Sequence, residues 1–181
     1  SYQSMVQFWT TRGFAVLDVN HGGSTGYGRE YRERLNGQWG VVDLDDIVTG
    51  ASAMGAAGRV DGARLAIRGG SAGGYAVLRA LTASQVFAAG TSLYGISDLA
   101  VLLSEDHKFE SRYTIGLVGP WPKAAAMYAE RSPVTRAASL HGELLLLQGA
   151  DDRVVPVGQA TDMAEAMRAA GRDVEMVIYE G

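Results

Sequence analysis

Six residues, Gly69-Gly70-Ser71-Ala72-Gly73-Gly74, constrain this chain more than any other segment. They join an apolar run, Arg64 to Arg68, to a stretch of helical periodicity, Ala72 to Ala83. Nothing but these residues separates the two, so the backbone passes from strand to helix through one sharp bend. A serine at the apex of such a bend is held in a strained conformation. The residues two positions to either side must be small, because strand and helix nearly touch. The bend lifts the Ser71 hydroxyl above the carboxyl end of the strand. It also sets Ser71 at a helix N-terminus, where the Ala72 N–H can stabilise an oxyanion. A glycine-rich turn with an incidental serine, or a phosphate-binding loop, has the same composition. The entering strand and the amphipathic helix that leaves single out a nucleophile.

The remaining pattern is strand and helix in alternation. Strands are predicted at Phe14 to Val19, Arg64 to Arg68, Ala88 to Tyr94, Glu143 to Gln148 and Asp173 to Tyr179. Helices are predicted at Tyr2 to Arg12, closed by Gly13, and at Val41 to Ala57, Ala72 to Ala83 and Val157 to Ala170. The second of these opens on Asp43, Asp45 and Asp46, which suit the positive end of a helix. Gly95 to Pro133 is less regular, with two short helices and a turn at Gly119 to Pro122. Such alternation implies an α/β fold, a mostly parallel sheet with helices on both faces. No internal domain boundary is visible.

A net charge of −4 and a hydrophobic fraction of 47% over 181 residues suit one globular domain with a sizeable core. No basic patch invites nucleic acid, and no apolar run reaches the length of a membrane span. The chain has no cysteine, which removes disulfides and thiolate metal sites and permits a reducing, cytoplasmic setting. No metal or other cofactor is expected. The chain opens on Ser1 and stops two residues after a predicted strand, so it is expected to be one catalytic domain, residues 1–181, incomplete at both ends.

G-x-S-x-G between a strand and a helix is the nucleophile elbow of the α/β-hydrolase fold, in which nucleophile, acid and histidine follow in that order along the chain. The acid belongs in the loop after the strand at Leu144 to Gln148, where Asp151 and Asp152 stand. One of the pair can instead cap the helix that follows, and spacing alone does not choose between them. The base belongs after the strand ending at Tyr179, just beyond Gly181. His21, His107 and His141 all precede the acid. His21-Gly22-Gly23 has the composition of an oxyanion loop. Only one helix and no strand fit between it and Arg64, however, so it follows the wrong strand for that role.

Several strings, in order and nearly end to end, resemble the prolyl oligopeptidase family of serine peptidases, closest to its acylaminoacyl-peptidase and dipeptidyl-aminopeptidase branches. They are NHGGSTGYG at Asn20 to Gly28, GQWGVVDLDD at Gly37 to Asp46, GGSAGGY at Gly69 to Tyr75, ERSPVTRA at Glu130 to Ala137 and GADDRVVP at Gly149 to Pro156. The resemblance implies a peptidase acting on oligopeptides through an acyl-enzyme. It assigns the acid to Asp151, a substrate carbonyl contact to Arg153, and the walls of the P1 pocket to Val154 and Ile96. It also implies an N-terminal β-propeller in the parent chain, a second oxyanion donor from a loop before Tyr2, and a histidine after the last strand. His21-Gly22 departs from the usual Tyr-Arg, and Ala72 stands where some dipeptidyl peptidases have tyrosine. A carboxylesterase of the same fold is the alternative activity, and a domain that has lost catalysis and serves as a binding scaffold is a third.

Overall fold

The computed structural model describes residues 3–105 and 108–180; His107 lies outside them. Four strands, β1 (Ala66–Gly70), β2 (Ala89–Leu93), β3 (Glu143–Gly149) and β4 (Glu175–Tyr179), form one all-parallel sheet in chain order. Eight α-helices accompany it among the described residues. They are α1 (Ser4–Thr10), α2 (Gly28–Glu33), α3 (Val42–Ala56), α4 (Ala72–Ala83), α5 (Leu99–Glu105), α6 (Lys108–Val118), α7 (Ala125–Arg131) and α8 (Gly158–Ala169). A 3-10 helix over Pro133–Ser139, kinked at Arg136, leads into β3.

Register explains where the core sits. Ile67 pairs with Gly90 and Gly90 with Leu144, while Leu146 pairs with Met176. These residues share one face, because side chains alternate along a strand. Val77, Leu78 and Leu81 of α4 and Met163, Ala164 and Met167 of α8 pack on that face. Leu44, Ile47 and Ala51 of α3 close the layer. Gly90 has to be glycine for this: a Cβ there would come within 2.7 Å of Leu81 and 2.9 Å of Val77. Thr91, Leu93, Leu145 and Leu147, on the opposite face, are only partly buried. The expected α/β fold, a parallel sheet accompanied by helices, is thus present.

The predicted strand at Phe14 to Val19 is not a strand. The segment is extended but joins no ladder, and Phe14, Val16 and Leu17 are each about half exposed. Between it and the open edge of β1 runs a trough made of two cavities of about 700 and 610 Å³, both lined by Leu17, Val19, Ile47, Ile67 and Arg68. Strand identity depends on a hydrogen-bonding partner within about 5 Å, and among the described residues this segment has none.

Candidate active site

Ser71 stands between β1 and α4 with φ 54° and ψ −121°, a conformation that costs a non-glycine residue energy. The surroundings enforce it. The Ser71 N–H donates to the Leu93 carbonyl at 3.0 Å, and the Ser71 carbonyl accepts the Tyr75 N–H at 3.0 Å. A Cβ on Gly69 would overlap the carbonyl of Gly73, which is why the strand and helix can meet only through small residues. Ala72 is the first residue of α4, so its N–H has no partner within the helix.

The first half of α4 is locked by a buried polar network. Tyr75 is fully buried, packs against Trp39 with the ring centroids 4.6 Å apart and the planes tilted by 50°, and donates its hydroxyl to the Arg131 carbonyl at 3.1 Å. Burial pushes its phenol well above the ordinary tyrosine range. Arg131 donates to the carbonyls of Gly37 (3.0 Å) and Trp39 (3.2 Å), and Arg79 to that of Gly40 (3.2 Å). Asp43 accepts the Gly40 N–H at 2.7 Å. Burial raises the Asp43 carboxyl and lowers the Arg79 guanidinium. The GQWG turn is thus wrapped by two arginines and a carboxylate, and it carries Trp39 to the flank of the elbow.

A cavity of about 610 Å³ opens beside Ser71 and is lined also by Ala72, Ile96 and Val154. Ser71, Ile96 and Val154, from distant parts of the sequence, thus line one cavity. Ile96 is buried, and its loop is pinned by Gln159, whose side-chain oxygen accepts the N–H groups of Ser97 (2.7 Å) and Asp98 (2.8 Å). Val154 is 71% exposed and stands at the mouth. Sequence reasoning did not anticipate that Trp39, Leu102, Leu117 and Val155 line the same cavity; with Ile96 they pack as one apolar cluster.

The two aspartates after β3 have separated roles. Asp152 turns inward along its own loop, where its Oδ1 accepts the N–H groups of Val154 (2.8 Å) and Val155 (3.0 Å). Asp151 is exposed, and among the described residues its carboxylate receives no hydrogen bond. Arg153 is exposed and, among the described residues, in no ion pair.

The histidines are placed as follows. His141 is exposed just before β3, with its backbone N–H on the Leu81 carbonyl at 2.7 Å. His21 lines the same cavity as Ser71, which its position far upstream did not suggest, and its Nδ1 lies 2.9 Å from the Gly22 carbonyl oxygen. The amides of its loop are occupied: Gly22 donates to Asp46 (2.7 Å) and Gly23 to the Tyr31 carbonyl (3.0 Å). Neither is free for an oxyanion. Among the described residues no three acidic or histidine side chains gather to hold a metal ion, and no helix is long and apolar enough to cross a membrane.

A parallel sheet that delivers a strained serine onto a helix N-terminus beside a cavity with one apolar wall is the α/β-hydrolase arrangement. The chain belongs to the prolyl oligopeptidase family, whose sequence profile matches residues 1–181. It is 34% identical to dipeptidyl aminopeptidase BIII of Pseudoxanthomonas mexicana over 98% of this chain and 27% of that protein. A puromycin-hydrolyzing peptidase of Mycobacterium tuberculosis superimposes with a TM-score of 0.93 at 49% identity, over 96% of this chain and 26% of that one. The acylaminoacyl peptidase of Pyrococcus horikoshii superimposes with a TM-score of 0.83 at 27% identity, over 90% of this chain and 27% of that one. The chain therefore spans about a quarter of the length of these relatives.

Proposed function

We propose that residues 1–181 are the larger part of the catalytic domain of a serine peptidase that cleaves oligopeptides. The strained Ser71 opening onto a cavity walled on one side by Trp39, Ile96, Leu102, Leu117 and Val155 carries this reading. The Ser71 hydroxyl attacks the scissile carbonyl carbon, and its proton passes to a histidine supplied from beyond β4. The negative charge on the carbonyl oxygen is met by the Ala72 N–H. The amine leaves with the proton from the imidazolium, and water then releases the acyl group from Ser71 by the same steps. Asp151 holds the histidine in the tautomer that accepts the proton; the Asp152 hydrogen bonds within the loop leave Asp151 as the carboxylate available for that task.

The apolar wall of Trp39, Ile96, Leu102, Leu117 and Val155 supports a large apolar side chain on the acyl side of the bond, and Val154 edges the entrance. An N-terminal β-propeller in the full-length polypeptide would restrict entry to short peptides, and the cysteine-free sequence permits a cytoplasmic setting. Membership of a peptidase family favours amide over ester substrates. Treatment of the full-length polypeptide with a serine-reactive phosphonate, followed by peptide mapping, should find the label on Ser71, and labelled protein should lose hydrolysis of aminoacyl and acyl-peptide anilides. Label on any other residue, or full anilide hydrolysis after Ser71 is labelled, refutes the proposal. Faster turnover of simple esters with no anilide hydrolysis would assign a carboxylesterase.

Arg153 contributes binding. Its exposed, unpaired guanidinium, next in sequence to Val154 on the cavity wall, suits a hydrogen bond to a substrate carbonyl that persists from ground state to transition state. Loss of such a bond raises KM and leaves kcat unchanged. Arg153→Ala should therefore raise KM on peptide substrates by about tenfold, the scale of one charge-assisted hydrogen bond. An unchanged KM rules the contact out.

A further inference from the structure

We propose that Tyr94 is a positioning residue for the general base, its ring forming the floor on which the imidazole rests. The inference rests on the peptidase reading of Ser71 and Asp151 and adds a residue to it. Ser71 follows β1 and Asp151 follows β3, and the only strand between these two is β2. Neighbouring strands lie about 4.8 Å apart, so the nucleophile and the acid stand on strands roughly 10 Å apart. A histidine that hydrogen-bonds both must lie above the carboxyl end of β2. The first residue past that end is Tyr94.

Four observations mark Tyr94 as more than a loop residue. Its φ is +39°, and with Ser71 it is one of two non-glycine residues with positive φ among the described residues. A bulky side chain rarely adopts that conformation, and such strain persists only where the surroundings over-determine it. The backbone is fixed from both sides: the Leu93 carbonyl takes the Ser71 N–H at 3.0 Å, and the Tyr94 N–H donates to the Leu147 carbonyl of β3 at 2.7 Å. The peptide unit around Tyr94 therefore ties the nucleophile's turn to the acid's strand. The ring leans against the elbow, because a Cβ on Gly70 would come 2.8 Å from the tyrosine oxygen and 2.9 Å from the carbon that bears it. Yet the side chain is 44% exposed, and its hydroxyl has no hydrogen-bond partner among the described residues. A half-exposed aromatic face held in strain beside the nucleophile, on the strand between nucleophile and acid, suits a flat imidazole laid over it.

The test uses the full-length polypeptide and three substitutions. Tyr94→Gly removes the ring at a backbone conformation that glycine adopts freely. It should lower kcat on peptide anilides by about 10–10²-fold, the range for displacing a catalytic group by a fraction of an ångström to an ångström, with KM unchanged. Tyr94→Phe keeps the ring and should restore most of the lost kcat. If the glycine variant does not fold, as judged by its melting curve, Tyr94→Asn tolerates positive φ and reads the same quantity. A ring-less variant with wild-type kcat overturns the inference, as does a rise in KM alone. Equal impairment in Tyr94→Phe also overturns it, since the hydroxyl would then be the contributing group. Phosphonate labelling of the wild type separates the two levels. No label on Ser71 means that the peptidase reading has failed. Label on Ser71 with unimpaired Tyr94→Gly means that only the role of Tyr94 has failed.

Discussion

Asp151→Asn in the full-length polypeptide should lower turnover by about 10⁴-fold, the loss seen for the same change in a well-studied serine protease. The cause is tautomeric. An amide that presents its NH₂ to the histidine favours the ring form whose other nitrogen is already protonated, and that form cannot take the proton of Ser71. The neighbouring Asp152→Asn should leave turnover close to wild type, because an asparagine side-chain oxygen can still accept the N–H groups of Val154 and Val155. Asp152→Ala would remove that acceptor and loosen the loop, costing about 1 kcal/mol of stability, as for loss of a helix cap. Ser71→Ala should abolish both turnover and phosphonate labelling. Steady-state kinetics on one anilide substrate, with melting curves on the same preparations, separates these effects. If Asp152→Asn is the crippling change and Asp151→Asn is mild, the acid is Asp152.

The second large effect concerns the 181-residue chain expressed by itself, which should show essentially no peptidase activity. No described histidine combines a place beside Ser71 with a place beside Asp151. His141 is remote, exposed just before β3, and His21 lines the cavity from a loop tied to Asp46 and Tyr31. Without a base the Ser71 hydroxyl stays protonated at neutral pH and is a poor nucleophile. A single oxyanion donor, the Ala72 N–H, compounds the loss, since removal of one donor typically costs about 10²–10³-fold. The two losses do not multiply, because the catalytic groups act as a unit. The open edge of β1 and the half-exposed run Phe14 to Val19 add a physical liability: an unpaired apolar edge recruits strands from other molecules. The isolated chain is therefore expected to aggregate at concentrations where the full-length polypeptide stays monodisperse by light scattering. Equal activity of the two would assign the base to a histidine within this chain. His21, on the cavity wall, would be the first to replace.

How much of this was legible before the fold was known differs from element to element. α4 runs from Ala72 to Ala83 as its periodicity predicted, because it is bounded by the glycine elbow and its buried side chains point inward wherever the sheet lies. The strand before it is displaced, Ala66–Gly70 instead of Arg64 to Arg68, because its limits follow from pairing with Ala89 to Leu93 and not from its own residues. The short helix α2, a third helix between Gly95 and Pro133 and the 3-10 turn at Pro133–Ser139 carried no clear periodic signal. Segments of six or seven residues form helices only when packing supplies what propensity cannot.

The candidate site divides in the same way. Ser71, the Ala72 N–H and the pair Asp151-Asp152 were visible in the sequence because strand–turn–helix chemistry is local: a bend that tight demands glycine, and the loop after a parallel strand faces the crevice. The choice of Asp152 as the loop's own acceptor needed coordinates, since either carboxylate could have bent back to the Val154 and Val155 amides. Most of the cavity wall was hidden. Trp39, Leu102, Leu117 and Val155 lie far apart along the chain and come together only because Arg79, Arg131 and Asp43 wrap the GQWG turn while Gln159 pins the loop after β2. The sequence by itself singled out Ser71 as the candidate nucleophile, because a strand that turns into a helix through glycines is a local signal. Tertiary structure decided how that serine is held and what surrounds it: the Leu93 carbonyl of the neighbouring strand fixes its strained backbone, and apolar side chains carry no directional signal until the backbone brings them into contact.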